Sequence, residues 1–539
     1  MSECSMANTG GEALVKLLEN YGVDTVFGIP GVHTLELYRG LPQTEIRHIL
    51  TRHEQGAGFM ADGYARVSGK PGVCFLITGP GLTNAATAIG QAYSDSIPML
   101  VITSVNETPT LGKGLGRLHE TKDQRAITAP LTAFSATAMS PEELPGLIAR
   151  AFAVFNSERP RPVHIEVPMD VLAAPVAYDW TNSVAVSAKR PPACATDIEQ
   201  AVSLLVAAKR PMMIAGGGAL EAAAEIRALA EAVKAPLFTS IAGKGILPPE
   251  HPLSGGATLC VSPAWDYVAD ADVVLAIGTE LAETDFWRDS LPINGQLIRI
   301  DIDSTKMNDL YPAALPIVAD SYQAALALLA VWGERAPNVE PAWLERLQQL
   351  PGQVRAGHEP LQQLHQRVLD SIAEVLPQDT VVSTDMTQIA YTGNYVFDSR
   401  APRKWLHPTG YGTLGYGLPA GIGAKVAAPE QPALVIAGDG GFLYTVQELA
   451  TAVEEIQSAL VVLVYNNASL GQIRDDMLAR DIELVGVSPR NPDFTGLAQA
   501  FGCAVYQPQS LADLRNDLTA AFGFAGVSFI EVDAAQVTR

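Results

Sequence analysis

The 539-residue sequence is poor in cysteine and has no long apolar runs. The five cysteines form no C-x-x-C pair, so the sequence indicates neither a disulfide framework nor a zinc site. No apolar stretch reaches the length needed to cross a bilayer, and the polar, acidic first residues do not look like a targeting segment. These absences predict a protein of the reducing cytoplasm. The cysteines are Cys4, Cys74, Cys194, Cys260 and Cys503.

Basic residues are also scarce, since 36 Lys and Arg stand against 58 Asp and Glu and give a formal charge of -22. This charge argues against nucleic acid or an anionic membrane as a partner, and it also serves solubility. A hydrophobic content of 48% with 17% charged residues provides ample core and gives no sign of disorder. The length suggests about three domains.

Strand-like and helix-like segments alternate along the chain, which predicts an α/β fold of doubly wound parallel sheets. Polar, proline-containing stretches divide it, and we predict three domains at residues 1–180, 190–335 and 355–539. In the second unit, Gly216-Gly217-Gly218 follows a predicted strand. Because these glycines lack the spacing of a dinucleotide-binding loop, a tight turn is the favoured interpretation.

Two predicted strands of the third unit end in residues that suit a metal site. The buried strand 433–437 leads into Gly438-Asp439-Gly440-Gly441, and the buried strand 460–465 leads into Asn466-Asn467. A carboxylate, an amide oxygen and exposed backbone N–H groups are what a divalent cation carrying a diphosphate requires. In a parallel sheet, ligands bind at the edge where the strands end. A helix is predicted between the two segments, from Thr445 to Glu455, and a pair of ordinary turns is the alternative interpretation.

These segments resemble the diphosphate-binding motif of thiamine-diphosphate-dependent enzymes, in which GDG is followed by a strand that ends in NN. The resemblance implies that Mg²⁺ is held by the side chains of Asp439 and Asn467 and by the backbone carbonyl of Ser469. It also implies contacts with thiamine diphosphate from Gly440, Gly441, Ser469, Leu470 and Gly471.

The first unit contains the second motif, in which Glu54 falls at the start of a predicted helix with an apolar face. An acidic residue in a first helical turn often only complements the helix dipole. The stretch from His53 to Arg66, however, resembles the family segment whose glutamate bonds the aminopyrimidine ring of the cofactor. The resemblance implies that Glu54 is catalytic and shares a proton with that ring from an apolar pocket.

Other stretches are similar to the family's cofactor site. The segment 410–420 resembles the one beneath the bent cofactor, which makes Leu414 an apolar wedge and the Gly412 carbonyl an acceptor for the amino group. Glycine clusters after two strands of the first unit resemble the pyrimidine site, although they also fit ordinary turns. The remaining predicted cofactor contacts are Gly28, Pro30, Gly31, Thr78, Thr387 and Gln388.

The resemblance extends over essentially the whole chain and implies a pyrimidine-binding, a central and a diphosphate-binding domain, in that order. Family members build the site between two subunits, so a homodimer is the smallest active unit implied, and tetramers are common. The central domain of acetolactate synthases binds FAD. Nothing in this sequence demands a flavin, and FAD is not among the predicted cofactors.

Pocket residues bear on the substrate. His119 lies in a loop where decarboxylases of the family carry histidine and acetolactate synthases glutamine, and a histidine can transfer protons there; a solvated loop histidine is the alternative. Gln472, Asp475 and Asp476 begin the helix that faces substrate in the family. An acid at Asp476, where acetolactate synthases have tryptophan, suits a cationic substrate tail, with Glu280 and Asp285 as further candidates. A solvated helix start is the alternative for these acids.

The resemblance therefore implies an enzyme that decarboxylates a small-molecule 2-oxo acid, and a guanidinium-bearing acid is the expected substrate. An acetolactate synthase-like carboligase and a catalytically silent, cofactor-binding homologue are the alternatives. Product analysis with pyruvate separates the first from a decarboxylase. Glu54 argues against the second, because a protein that only binds the cofactor needs no proton relay.

Overall fold

A computed structural model describes residues 8–537 of the chain. These residues form three six-stranded sheets, and every pairing within the sheets is parallel. The predicted α/β fold of three doubly wound parallel sheets is confirmed. The predictions made for Cys4 and for the first residues lie outside the described part of the chain. Across residues 8–537, no helix combines the length and apolar character needed to cross a membrane.

The first sheet has the strand order 2-1-3-4-6-5 when its strands are numbered along the chain. Its central strands are buried on both faces, as expected for apolar strands covered by helices on each side. The strands are β1 (Thr25–Gly28), β2 (Arg47–Leu50), β3 (Gly72–Leu76), β4 (Met99–Val105), β5 (Phe134–Thr137) and β6 (Val163–Pro168). The helices are α1 (Gly10–Asn20), α2 (Leu35–Gly40), α3 (Glu54–Ser68), α4 (Pro80–Ser94), α5 (Gln124–Thr128), α6 (Leu144–Ser157) and α7 (Met169–Ala173).

The second sheet carries a core of its own, built around its central strands. The strands are β7 (Pro211–Ala215), β8 (Leu237–Thr239), β9 (Ser254–Gly256), β10 (Val273–Ile277), β11 (Gln296–Asp301) and β12 (Leu315–Val318). The helices are α8 (Ala195–Ala207), α9 (Ala223–Val233), α10 (Ser262–Asp270), α11 (Glu283–Phe286), α12 (Ser321–Trp332) and α13 (Pro341–Ala356). The strand order is β12-β11-β10-β7-β8-β9.

The third sheet contains the two strands that end in the predicted metal-binding residues. The strands are β13 (Val381–Thr384), β14 (Trp405–Leu406), β15 (Ala433–Gly438), β16 (Leu460–Asn466), β17 (Ala504–Tyr506) and β18 (Val527–Asp533). The helices are α14 (Pro360–Val375), α15 (Gln388–Val396), α16 (Gly417–Ala427), α17 (Asp439–Tyr444), α18 (Glu448–Glu455), α19 (Gly471–Ala479), α20 (Phe494–Phe501) and α21 (Leu511–Phe522). The strand order is β14-β13-β15-β16-β18-β17.

The first and third sheets pack on each other through α3 and α16, and their apolar residues form one continuous core. The two helices cross closely because each presents a glycine to the other's backbone. A methyl group added at Gly63 would overlap the Ala420 carbonyl, and one added at Gly423 would overlap that of Met60. Residues from both ends of the sequence thus form one packed unit within a single chain.

The prediction of one helix from Thr445 to Glu455 is wrong at its start. The chain enters α17 directly from β15, so that Asp439 is its first residue, and a second helix begins only at Glu448. The bend between them is held by Thr445, whose buried hydroxyl donates a hydrogen bond of 2.8 Å to the Gly415 carbonyl. A contact with a distant loop therefore decides where these helices begin.

Candidate active site

Asp439 and the Asn466-Asn467 pair meet at the carboxyl edge of the third sheet. β15 and β16 are hydrogen-bonded neighbours in parallel register, with Gly438 opposite Tyr465, so the residues that follow each strand emerge side by side. Asp439 is 2% exposed, and its Oδ2 accepts a 2.6 Å hydrogen bond from Asn491 Nδ2. Burial raises the pKa of the Asp439 carboxyl, and the hydrogen bond from Asn491 opposes that shift.

The two asparagines that end β16 have different partners. Asn466 Nδ2 donates to Glu531 Oε1 at 2.8 Å, and Asn466 Oδ1 accepts from Asn491 Nδ2 at 2.9 Å. Asn467 Oδ1 accepts the backbone N–H of Ser469 at 3.1 Å, across a turn in which Ala468 has a φ of +50°. Asn466 therefore bonds to β18, to the loop of Asn491 and to the N–H of Ala468, while Asn467 bonds within the turn beside Asp439.

Four glycines lie at this edge of the sheet, at positions where a side chain would collide with neighbouring residues. A methyl group added at Gly440 would lie 2.9 Å from Leu470 Cδ2, and one at Gly441 would lie 2.7 Å from Asp385 Oδ1. A methyl at Gly438 would lie 2.8 Å from Thr387 Oγ1, and one at Gly471 would overlap Gln388 Oε1. These close approaches show that the predicted residues are neighbours at the carboxyl edge of the third sheet; they are Thr387, Gln388, Gly440, Gly441, Leu470 and Gly471.

Asp385, which sequence reasoning did not select, orders the adjoining loop. It is 1% exposed, and its two oxygens accept the backbone N–H groups of Gly415 at 3.1 Å and Gly417 at 2.9 Å. Burial raises the pKa of this carboxyl to about 6. The same loop carries Leu414, which is half-buried, and Gly412, whose φ of +68° favours glycine. Asp385 therefore holds the end of the loop that carries the predicted wedge.

The residues at this edge fit a divalent cation with a diphosphate. Asp439 is a buried carboxylate, and within residues 8–537 no lysine, arginine or histidine forms an ion pair with it. Asn491 Oδ1 is also buried and has no hydrogen-bond partner in that range. No group of three or more His, Cys, Asp or Glu side chains suited to a metal occurs among the described residues. The predicted site differs from such a cluster because it combines one carboxylate with amide and backbone oxygens, which are ligands that Mg²⁺ accepts.

Glu54 lies at the carboxyl edge of the first sheet, as the first residue of α3. Its Oε2 accepts a hydrogen bond of 2.9 Å from Asn84 Nδ2 of α4, and a methyl group added at Gly81 would lie 3.6 Å from its Oε1. The carboxyl is half-buried. The helix start and the glycine turn before α4 thus form one site around this acid.

The segment that leads into Glu54 is held by a buried acid of helix α18, next to the third sheet. Both oxygens of Glu448, which is fully buried, accept the backbone N–H of Arg52 at 3.1 Å. Thr451 Oγ1 donates to Glu448 Oε2 at 2.8 Å, and burial raises the pKa of Glu448 to about 7. Sequence reasoning missed Glu448, because nothing in a helix sequence tells which distant backbone group its carboxylate accepts.

His119 lies beside the glycine turn of the Glu54 site. Its backbone has a φ of +61°, and its carbonyl would overlap a methyl group added at Gly79. Its ring contacts the edge of the His33 ring, with centroids 5.2 Å apart. His33 Nδ1 is buried and has no hydrogen-bond partner in the described part of the chain, and burial beside His119 lowers the pKa of His33. The structure therefore offers two histidines where the sequence suggested one.

The other predicted residues of the first unit follow its strand ends. Gly28 ends β1 against the Phe75 carbonyl, and Gly31 packs on Ile77, so both positions lack room for a side chain. Pro30 is exposed at the turn between them. Thr78 is fully buried, and its hydroxyl is 3.1 Å from that of Ser104. Its side chain therefore forms a hydrogen bond inside the first domain.

The acids proposed for a cationic tail lie in three different settings. Asp475 accepts Gln388 Nε2 at 2.9 Å and forms a two-bond ion pair with the neighbouring Arg474. Asp476 is exposed, and its hydrogen-bond partner is the neutral Gln472, at 3.2 Å. Glu280 is already ion-paired with Arg159 and with Lys306. Of these three acids, Asp476 is the one that forms no ion pair within residues 8–537.

Glu280 and Asp285 lie in a different part of the molecule, on the wall of a cavity of about 1040 Å³ between the central sheet and the other two. Asp285 accepts the backbone N–H of Ile241 at 3.1 Å, and burial raises its pKa to about 7. Gly217 and Gly218 also line this cavity, at the start of a short 3₁₀ helix. None of its lining residues is Glu54, Asp439 or Asn467. Glu280 and Asp285 therefore lie apart from the sheet edge that carries Asp439 and Asn467.

Asp385 and Asn491, which were not predicted as site residues, differ in how clearly the sequence indicates them. Asp385 follows β13 directly, so the rule that drew attention to Asp439 applies to it as well. Asn491 lies in a loop before α20, away from any strand end. Its part in the site comes from the fold, which brings that loop back over β15 and β16.

Comparison with known families agrees with this geometry. Three family models match: the N-terminal TPP binding domain of thiamine pyrophosphate enzymes at residues 8–127, the central domain at 198–328, and the C-terminal TPP binding domain at 385–532. The chain belongs to the thiamine pyrophosphate (thiamine diphosphate) enzyme family.

Several relatives match over almost the full length. A probable 2-ketoarginine decarboxylase of Pseudomonas aeruginosa is 66% identical, over 97% of this chain and 94% of the relative. The large subunit of acetolactate synthase isozyme 1 of Escherichia coli is 33% identical, over 97% and 93%. A probable acetolactate synthase large subunit of Methanocaldococcus jannaschii is 34% identical, over 92% and 86%.

Proposed function

We propose that this protein is a thiamine-diphosphate- and Mg²⁺-dependent 2-oxo acid decarboxylase that acts on 2-ketoarginine (5-guanidino-2-oxopentanoate). The substrate carboxylate leaves as CO2, and one proton is taken up to give 4-guanidinobutanal. The observation that carries the proposal is the 66% identity to a probable 2-ketoarginine decarboxylase over 97% of the chain. We place this step in the cytoplasmic breakdown of arginine.

The residues that follow β15 and β16 would provide the ligands for this chemistry. Asp439, the Asn467 amide and the Ser469 carbonyl would hold Mg²⁺, and the glycine-lined surface around Gly440 and Gly471 would hold the diphosphate. Bound thiamine diphosphate supplies a nucleophilic carbon and an electron sink for the electrons left when CO2 departs. Leu414 would hold the two rings of the cofactor in their bent form, and the Gly412 carbonyl would accept a hydrogen bond from its amino group.

Proton transfer falls to the first domain. Glu54 would exchange a proton with the aminopyrimidine ring. The 2.9 Å hydrogen bond from Asn84 restrains the orientation of its carboxyl. His119, whose ring centroid lies 5.2 Å from that of His33, would deliver the proton that the product aldehyde gains. This division gives the acid and the histidines separate tasks.

The active unit that we propose is at least a homodimer, and we favour a tetramer. In residues 8–537, no hydrogen bond, ion pair or ring contact joins Glu54 or His119 to Asp439 or Asn467. Large exposed apolar side chains flank both groups, as expected of surfaces that a second copy covers. They are Val32, Leu35 and Leu118 in the first domain and Ile473, Leu478 and Val485 in the third. The domain limits we propose are 1–180, 190–335 and 355–539.

We expect Asp476→Asn to lower kcat/KM for 2-ketoarginine by roughly one to three powers of ten, because the substrate guanidinium loses a charge-assisted pair of hydrogen bonds. Activity on an uncharged 2-oxo acid of similar length should stay close to that of the wild type. The measurement is CO2 and aldehyde release from both substrates.

Asp475→Asn is the matched control, because Asp475 is already paired with Arg474 and Gln388. It should change the ratio of the two substrates little. An equal loss on both substrates in Asp476→Asn would make Asp476 a structural residue, and the substrate assignment would then rest on the whole-chain similarity.

With pyruvate as substrate, we expect little acetolactate and a low rate of acetaldehyde release. Asp476 would have no cationic partner on so short a substrate, so pyruvate would lack the binding energy that this acid offers to 2-ketoarginine. Chromatographic analysis of the products formed from pyruvate and from 2-ketoarginine checks this. Rapid acetolactate formation would favour a carboligase instead.

A further inference from the structure

The loop 407–416, which carries Gly412 and Leu414, is held at both ends. Asp385 of the third domain fixes its end through Gly415 and Gly417. Its beginning is fixed by residues of the first domain. The position of the predicted wedge therefore depends on a domain other than the one that contains it.

Asp95, directly after α4, is the centre of that second attachment. Its Oδ1 accepts the backbone N–H of Gly410 at 2.7 Å, and its Oδ2 accepts that of Thr409 at 3.2 Å. Oδ2 also accepts Gln91 Nε2 and Arg66 Nη2, both at 2.7 Å. The side chain is 9% exposed and lies on the wall of the 1040 Å³ cavity, where these four hydrogen bonds hold the loop against the end of α4.

Arg66 extends the attachment along the loop. It donates to the His407 carbonyl at 3.3 Å and to Asp62 Oδ1 at 2.5 Å. Asp62, which is fully buried, also accepts the hydroxyl of Tyr416 at 2.6 Å. Both ends of the loop thus meet one ionic cluster of the first domain, which consists of Asp62, Arg66 and Asp95.

Close packing makes this attachment sensitive to small shifts. A methyl group added at Gly410 would lie 2.9 Å from both Asp95 Oδ1 and Ser94 Cβ, and one at Gly90 would lie 2.9 Å from the Tyr411 ring. The loop consequently has no room to move toward α4. A displacement of about 1 Å at a group that orients reacting atoms can cost on the order of a hundredfold in rate.

We propose that Asp95 is a positioning residue for the reaction: by fixing the backbone at residues 409–410, it determines the positions of Leu414 and of the Gly412 carbonyl. The proposal rests on the proposed function, because it takes Leu414 to be the wedge. Asp95 itself touches no reacting atom.

The test is Asp95→Asn, which keeps the size of the side chain. An amide has one acceptor oxygen, so in either orientation its NH2 group faces the N–H donors of the loop or of Arg66. We expect the amide hydrogen of Gly410 to exchange roughly ten- to a hundredfold faster in the cofactor-free protein. The amide hydrogen of Thr409 should change less, because it also donates to the His407 carbonyl at 3.0 Å. Exchange of the C2 hydrogen of bound thiamine diphosphate should slow by roughly ten- to a hundredfold. Mg²⁺-dependent cofactor binding, measured by calorimetry, should change far less.

Two further variants separate positioning from general stability. Gly410→Ala keeps all three charges of the ionic cluster, but its methyl group pushes the loop away from Asp95 Oδ1 and Ser94, and it should slow C2 exchange in the same way. It also tests the proposal if Asp95→Asn does not fold. Asp309→Asn is the matched control, since it removes the 2.6 Å partner of the buried Arg299 in the central domain, away from the loop. It should leave C2 exchange at the wild-type rate.

Unchanged C2 exchange in Asp95→Asn and Gly410→Ala overturns the proposal, even if the loop amides exchange faster. An equal loss in Asp309→Asn also overturns it. Leu414→Ala gives the separate check on the wedge: unchanged C2 exchange in that variant refutes the wedge assignment and the proposal with it. No substrate enters these measurements, so a wrong substrate assignment leaves their outcome intact.

Discussion

Asp439→Ala and Asn467→Ala should each abolish Mg²⁺-dependent binding of thiamine diphosphate. The cation would lose one of its few protein oxygens, and the diphosphate charge would then face the sheet edge without compensation. Asp439 is the larger loss, because it is the buried carboxylate of the site, 2% exposed. Isothermal calorimetry with thiamine diphosphate, with and without Mg²⁺, measures the effect.

Asn466→Ala is the control for this prediction. Asn466 is the neighbour of Asn467, but its amide is bound to Glu531 and Asn491. Its removal should weaken binding less than the removal of Asn467. Unchanged Mg²⁺-dependent binding in Asp439→Ala or in Asn467→Ala would refute the proposed metal site.

Glu54→Gln should leave the cofactor bound and cut turnover by roughly two to four powers of ten, the scale of losing one positioned acid–base group. The amide has nearly the shape of the acid and can still accept the hydrogen bond from Asn84, but it cannot exchange a proton with the cofactor ring. The rate of C2 hydrogen–deuterium exchange on the bound cofactor measures this step without substrate.

Glu19→Gln provides the comparison, because Glu19 is a surface acid of α1 that pairs with Lys16. It should keep the wild-type exchange rate and turnover. C2 exchange at the wild-type rate in Glu54→Gln would exclude Glu54 as the relay residue. Loss of cofactor binding in that variant would instead indicate that the acid holds the ring in place.

The parts of the site that could be predicted lie on short stretches of sequence. β15 and β16 read as apolar runs followed by polar residues, and the rule that ligands bind where parallel strands end placed Asp439 and Asn467 together. The start of α3 at Glu54 was likewise visible as the onset of a helical pattern. Local spacing sufficed because these residues belong to the ends of elements whose type the pattern indicates.

The parts that escaped prediction depend on contacts between distant segments. Glu448 accepts the backbone N–H of Arg52, and Asp95 accepts that of Gly410, across 396 and 315 residues of sequence. Asn491 reaches Asp439 from a loop. A carboxylate or amide in a helix or loop carries no local signal of which backbone group it will meet, so these roles emerge only from packing.

The sequence by itself determined the class of fold, the two strand ends that carry the metal motif and the helix that begins at Glu54, because hydrophobic periodicity and turn residues act over a few neighbours. The tertiary structure alone decided how the acids differ: Asp475 and Glu280 have cationic partners, whereas Asp476 forms no ion pair with any residue from 8 to 537. It also decided that α3 and α16 join the first and third sheets into one core and that a cluster of the first domain holds the loop of Leu414. The physical reason is that the charge and position of a side chain depend on every group around it, and folding brings those groups from the whole length of the chain.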